Sequence, residues 1–140
     1  MLELYFRHSQ ALVNETLRNP DLAPLDRLAA YVDAAQCRQT EDGLKNGCLI
    51  GNFSAEMADQ SEPIRRRLIE MLAEVEAAIA ACLAAAVEAG RLPADSDVEA
   101  LATVIQAGIQ GATLLGKAER SPAPLERFKR VLFTTILRPL

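Results

Sequence analysis

The stretch SEPIRRRLIEMLAEVEAAIAACLAAAVEAGRLP, from Ser61 to Pro93, decides the fold class. Its apolar residues Ile64, Leu68, Met71, Leu72, Val75, Ile79, Cys82, Leu83, Ala86 and Val87 recur at the spacing of one face of an α-helix. Ser61 and Pro63 mark the start: a serine hydroxyl satisfies an orphan amide, and proline lacks the amide that would be orphaned. Gly90 stands where a helix closes through a left-handed residue, and Pro93 blocks continuation. So long an amphipathic helix must bury its stripe against other elements, and the flanking segments supply them.

Towards the C-terminus, Ser96 and Glu99 have capping-box spacing and open a helix over about 97–119. One of its faces carries Gly108, Gly111, Ala112 and Gly116, which points to close backbone approach, since glycine inside a helix costs about 0.5–1 kcal/mol relative to alanine. Ser121-Pro122-Ala123-Pro124 links it to a final helix with Leu125, Phe128, Val131, Leu132, Thr135 and Ile136, stopped by Pro139. Towards the N-terminus, residues 39–51 read as an irregular connection anchored by Cys48-Leu49-Ile50, and residues 52–59 as a short helix capped by Asn52 or Ser54. Before them, Pro24 opens a helix with the stripe Leu25, Leu28, Ala29, Val32 and Ala35, and Asn19-Pro20-Asp21 breaks a first helix carrying Tyr5, Phe6, Leu12, Val13 and Leu17. Strand signals are nearly absent. The expectation is an all-α bundle of about five to six helices in one domain, residues 1–140.

Composition narrows the function. The 140 residues are 50% hydrophobic but only 4% aromatic, without tryptophan, so the core is aliphatic. A net charge of −4 gives no electrostatic footprint for nucleic acid. Cys37, Cys48 and Cys82 are odd in number and lack zinc-ligand spacing, which suits a reducing cytoplasm. The longest apolar run, Ala77 to Val87, is far shorter than the roughly 20 residues of a membrane span, and no secretory signal pattern follows Met1. His8 is the only histidine, so a histidine-based triad, a three-histidine zinc site and a di-iron bundle all fail. No phosphate-loop pattern occurs, Glu74 and Glu76 fall off the apolar stripe, and Arg65-Arg66-Arg67 reads as a solvated helix face. An enzyme is not expected, and no cofactor or metal is implied.

The segment Gly47-Cys48-Leu49-Ile50-Gly51-Asn52-Phe53-Ser54-Ala55-Glu56, running on to Asp59 and Arg65, resembles the G-C-L-x-x-N-x-[SA]-x-E segment of the C-terminal domain of TetR-family transcriptional repressors. Ala89-Gly90-Arg91-Leu92, Ile109-Gln110-Gly111-Ala112, Leu114-Leu115-Gly116-Lys117-Ala118 and Pro124-Leu125-Glu126 continue the resemblance in the family's order, over nearly the whole chain. It implies a ligand-sensing, homodimeric domain whose last two helices form a four-helix bundle with those of a second subunit. DNA would be read by a separate N-terminal helix-turn-helix domain absent from this chain, and the first helix here resembles the connector to it. A small apolar effector is expected between the middle helices, at Tyr31, Ala35, Cys48, Phe53, Met57, Met71, Val75, Ile105 and Ile109. The dimer face is expected at Gly108, Ala112, Leu115, Phe128, Leu132 and Thr135.

One branch of the family senses electrophiles and oxidants through a cysteine and a nearby lysine. Lys117 matches the lysine, but Ala58 occupies the cysteine position. Cys48 could substitute only if Lys117 stabilised its thiolate; otherwise it is a small buried hydrophobe. Cys37 and Cys82 read as core. The competing functional reading is a stand-alone helical module that dimerises without DNA binding or effector response.

Overall fold

The computed structural model describes residues 2–41 and 61–140. Among them are five α-helices, α1 (Leu2–Glu15), α2 (Pro24–Glu41), α3 (Glu62–Glu88), α4 (Val98–Glu119) and α5 (Ala123–Val131), and a π-helical turn at Leu132–Ile136 that extends α5. The described residues contain no strand, as the sequence pattern predicts. The expected short helix over 52–59 lies outside the described residues.

Both ends of α3 close as the sequence signals. The Ser61 hydroxyl accepts from the Ile64 amide at 3.4 Å. At the other end Gly90 adopts φ +72, its amide donates to Val87 O at 3.0 Å, and the Arg91 amide donates to Ala86 O at 2.9 Å. This paired closure needs the left-handed conformation that glycine reaches without a Cβ penalty. Leu92, just beyond, is buried.

Three boundaries differ from expectation. Asp97, not Ser96, caps α4: its carboxylate accepts from the Ala100 amide at 3.1 Å, while the Ser96 hydroxyl turns back to donate to Pro93 O at 2.7 Å. A carboxylate there also complements the positive end of the helix dipole. Helix α2 runs past Ala35 to Glu41, so Gln39 to Glu41 are helical instead of loop. The last helix shifts to π geometry after Val131, with the Leu137 amide reaching Leu132 O at 3.0 Å. Five positions lie about 140° apart around an α-helix, so the wider turn helps bury both Leu132 and Leu137 on one side.

Helix α3 packs on α4, α4 on α5, and α2 lies against α3, α4 and α5. The shared core contains Leu28, Val32, Ile79, Leu83, Ile105, Leu125 and Leu132, all closed to solvent. Helix α1 leans on α2 and α3. Near its start it contributes Tyr5 and Phe6 to a smaller cluster around Leu68 and Met71.

Polar contacts reinforce that attachment. Arg67 donates to both carboxylate oxygens of Glu3, at 2.7 and 2.9 Å, and to Glu70 at 2.8 Å, while its guanidinium lies 4.0 Å from the centre of the Phe6 ring. Arg65 and Arg66 pair with Glu62. The arginine run is thus held by this chain's own carboxylates.

Candidate functional site

Leu28, Val32 and Ala35 mark the inward stripe of α2, and Gln39 is its next position. The helix therefore carries an amide into the interior, where Gln39 is only 3% exposed. Its Nε2 donates to Thr113 O on α4 at 3.1 Å. Close approach is possible because residue 116 is glycine: a Cβ there would overlap the Gln39 amide and lie 2.8 Å from Ser121 O. Glycine at 116 thus serves packing within this chain.

The other end of the amide is unbalanced. No donor among the described residues reaches Gln39 Oε1. Reversing the amide would set Oε1 against the Thr113 carbonyl oxygen, so the Nε2 bond fixes which atom is left over. An unsatisfied buried acceptor costs about 1–3 kcal/mol. Gln39 lines a cavity of about 50 Å³ between α1, α2 and α4, together with Leu12, Tyr31, Ala35, Arg38, Ile109, Gln110 and Thr113. The Thr113 hydroxyl is committed to Ile109 O at 2.7 Å. Arg38 donates to the Tyr5 hydroxyl at 3.4 Å and has no carboxylate at ion-pair distance among the described residues.

Of the residues expected to line an effector pocket, Tyr31, Ala35 and Ile109 meet at this cavity. Met71 and Val75 line a different hollow of about 10 Å³ between α1 and α3, beside Phe6 and Glu74. Ile105 is fully enclosed in the core. Cys48, Phe53 and Met57 lie outside the described residues. Leu12 comes from α1 rather than the middle helices, and Arg38, Gln39, Gln110 and Thr113 are polar or charged, so an apolar stripe does not point to them. The usable signal was a polar residue extending the stripe Leu28, Val32, Ala35.

Cys82 is buried as expected: its thiol donates to Pro24 O at 3.0 Å, and burial pushes its pKa up to about 11. Cys37 is exposed on α2, which corrects the expectation of a core residue. It falls between the inward positions Ala35 and Gln39, so the helix turns it outward beside Glu41, whose charge and hydrogen bond raise its pKa. Neither thiol gains the thiolate character that makes a cysteine reactive. Lys117 sits half-buried in the last turn of α4.

The residues expected at a dimer face separate into two groups. Leu132 and Ala112 are buried within the chain, and Gly108 faces its own Phe128, whose ring a Cβ there would overlap. Leu115 and Thr135 are exposed. Leu115, at 55% exposure, joins Leu114 and Val104 on the outer side of α4, and Val131 of α5 is also exposed. Gly111 has open space where a Cβ would project. By length and composition alone α4 could cross a membrane, and a third of its most apolar window is buried inside the subunit.

A family description of the tetracyclin repressor-like C-terminal domain matches residues 24–132. The HTH-type transcriptional repressor DhaR of Mycobacterium sp. (strain GP1) is 33% identical over 98% of this chain and 67% of its own length. The transcriptional regulator AcuR of Cereibacter sphaeroides is 33% identical over 93% of this chain and 59% of its own length. The chain thus spans about three-fifths to two-thirds of the curated relatives it matches. The crystal structure of a regulatory protein TetR from Rhodobacter sphaeroides superposes with a TM-score of 0.87 at 33% identity, covering 93% of this chain and 69% of that one. A TetR transcriptional regulator from Chloroflexus aurantiacus, 22% identical with a TM-score of 0.80 over 96% of this chain and 71% of its own, shares the fold. The chain belongs to the TetR family of transcriptional regulators, and what it contains is that family's C-terminal domain.

Proposed function

We propose that residues 1–140 form the effector-sensing and dimerising part of a bacterial, cytoplasmic transcriptional repressor whose DNA is read by a helix-turn-helix domain outside these residues. The observation that carries the sensing role is the cavity between α1, α2 and α4, lined by polar and charged side chains, Arg38, Gln39, Gln110 and Thr113, beside the apolar Leu12, Ala35 and Ile109. The site also touches an element suited to transmission. Leu12 of α1 lines the cavity, and α1 is held near its start by the Glu3–Arg67 pair and by Arg38, itself a cavity residue. Occupation that favours one seating of α1 over another would shift the population of DNA-binding arrangements by the effector's differential affinity for the two.

Homodimerisation is supported by the uncovered apolar side of α4, where Val104, Leu114 and Leu115 form a surface large side chains rarely leave in water. Gly111 leaves room there for a partner helix to approach. Thr135 and Val131 would extend the contact onto the last helix, giving a four-helix bundle between subunits.

Sedimentation of the unmodified chain should give a dimer. Leu115→Glu should give a folded monomer with unchanged helical circular dichroism, because an interfacial carboxylate without a partner is costly to desolvate. Hydrogen exchange across α1 should change when an effector binds. A monomeric unmodified chain would overturn the dimer, and an α1 indifferent to a bound effector would leave only a dimerisation module.

A further inference from the structure

Resting on the reading of this domain as a sensor, we propose that the cavity between α1, α2 and α4 takes a short-chain monocarboxylate, its oxygens received by the Arg38 guanidinium and its hydrocarbon laid against Leu12, Ala35 and Ile109. Charge carries the argument. Arg38 is the one charged residue among the cavity's described walls, which hold no Asp or Glu. Arg65, Arg66 and Arg67 are paired with Glu62, Glu3 and Glu70, whereas half-buried Arg38 has no carboxylate at ion-pair distance among the described residues. Its hydrogen bond to the Tyr5 hydroxyl is long, at 3.4 Å. A guanidinium stays protonated and carries five N–H donors in a planar fork, so that one bond leaves most of the fork for a carboxylate. The net charge of −4 draws no anions to the chain as a whole, so the attraction is local to this site.

The remaining walls narrow the class. Gln110 on α4 makes no side-chain hydrogen bond among the described residues, so its amide adds a second donor. The Thr113 hydroxyl is committed to Ile109 O and Gln39 Nε2 to Thr113 O, while Gln39 Oε1 is enclosed and sets no acceptor against an anion. A cationic ligand meets repulsion from Arg38, and a neutral one leaves the guanidinium without a counter-charge. An inorganic anion such as phosphate leaves Leu12, Ala35 and Ile109 uncovered and brings further negative charge with no second cation to meet it. Size sets the last limit: about 50 Å³ holds roughly three to five water-sized groups, so the ligand has few heavy atoms.

The test is calorimetric titration of the unaltered chain at low salt, with the arginine Nε–H signals followed by NMR on labelled protein. The probes are propionate, propionamide, propylammonium and inorganic phosphate. Propionate should bind saturably, shift the Arg38 signal, and bind roughly tenfold more tightly than propionamide, which matches it in size without the charge. Phosphate and propylammonium should both be weaker than propionate. Arg38→Gln should abolish the preference for propionate over propionamide. Arg38→Lys keeps the charge but not the fork and should restore part of it. Arg66→Gln should leave propionate affinity unchanged, because that arginine lies on the exposed start of α3. The comparison of probes on the unaltered chain stands even if a variant misfolds. Equal binding of propionate and propionamide, tighter binding of phosphate, or propionate shifts confined to Arg65, Arg66 and Arg67 would overturn the carboxylate assignment while leaving the sensor reading intact. Failure of every probe to bind would count against both.

Discussion

On one side of α4, Ile105 and Ile109 are 0% and 6% exposed; on the other, Leu114 and Leu115 are 63% and 55% exposed, although all four are large aliphatic residues of one helix. The glycines divide in the same way. Gly108 and Gly116 admit the chain's own Phe128 and Gln39, whereas Gly111 faces open space. Hydrophobicity alone therefore does not tell which side of a helix is covered by its own chain. The inner side is finished within the subunit, while the outer side has the composition of a core with its other half missing, which is what an interface between subunits requires.

Ile105→Ala should have the largest effect, about 2–5 kcal/mol lost in denaturant unfolding, through the methyl groups removed and the cavity left. A cost below 1 kcal/mol would show the inner side to be loosely packed and would erase the contrast. Gly108→Ala comes next. Its new Cβ must displace the Phe128 ring, at about 1–3 kcal/mol for overpacking, less about 0.5–1 kcal/mol gained in helix propensity. Thermal melting should fall by a few degrees.

Gly111→Ala sharpens the comparison because its sign depends on assembly. In a chain made monomeric by Leu115→Glu it should stabilise by about 0.5–1 kcal/mol, having nothing to strike. In the dimer it should weaken association where a partner helix approaches. The same sign in both backgrounds would place the interface elsewhere.

The smallest effect concerns α1. Hydrogen bonds from Arg67 hold the Glu3 carboxyl below its usual range. A carboxyl depressed in the folded state stabilises above its unfolded pKa, and that contribution is lost as pH falls through the folded value. Protection of the α1 amides, taken relative to the intrinsic exchange rate at each pH, should therefore fall below about pH 4, and Glu3→Gln should show the lower protection already at neutral pH. The exposed pair is screened by salt, so added salt should shrink the difference.

The sequence determined what depends on near neighbours along the chain: the period of α3, its Ser61 cap and Gly90 closure, the proline breaks, and the aliphatic composition that needs a multi-helix core. These are local because capping and backbone conformation act within a turn or two. Tertiary structure decided where distant segments compete. The cap of α4 was still a local choice between neighbours, Asp97 over Ser96, whereas the π turn seats Leu132 and Leu137 together in a core that the other helices supply. The expected pocket residues split between a cavity at Tyr31, Ala35 and Ile109, a separate hollow at Met71 and Val75, and the closed core at Ile105. Gln39 shows why. That its amide enters the interior follows from helical spacing, but that one end meets Thr113 O while the other is left over depends on how α2 crosses α4, and on a glycine 77 positions away that allows the crossing.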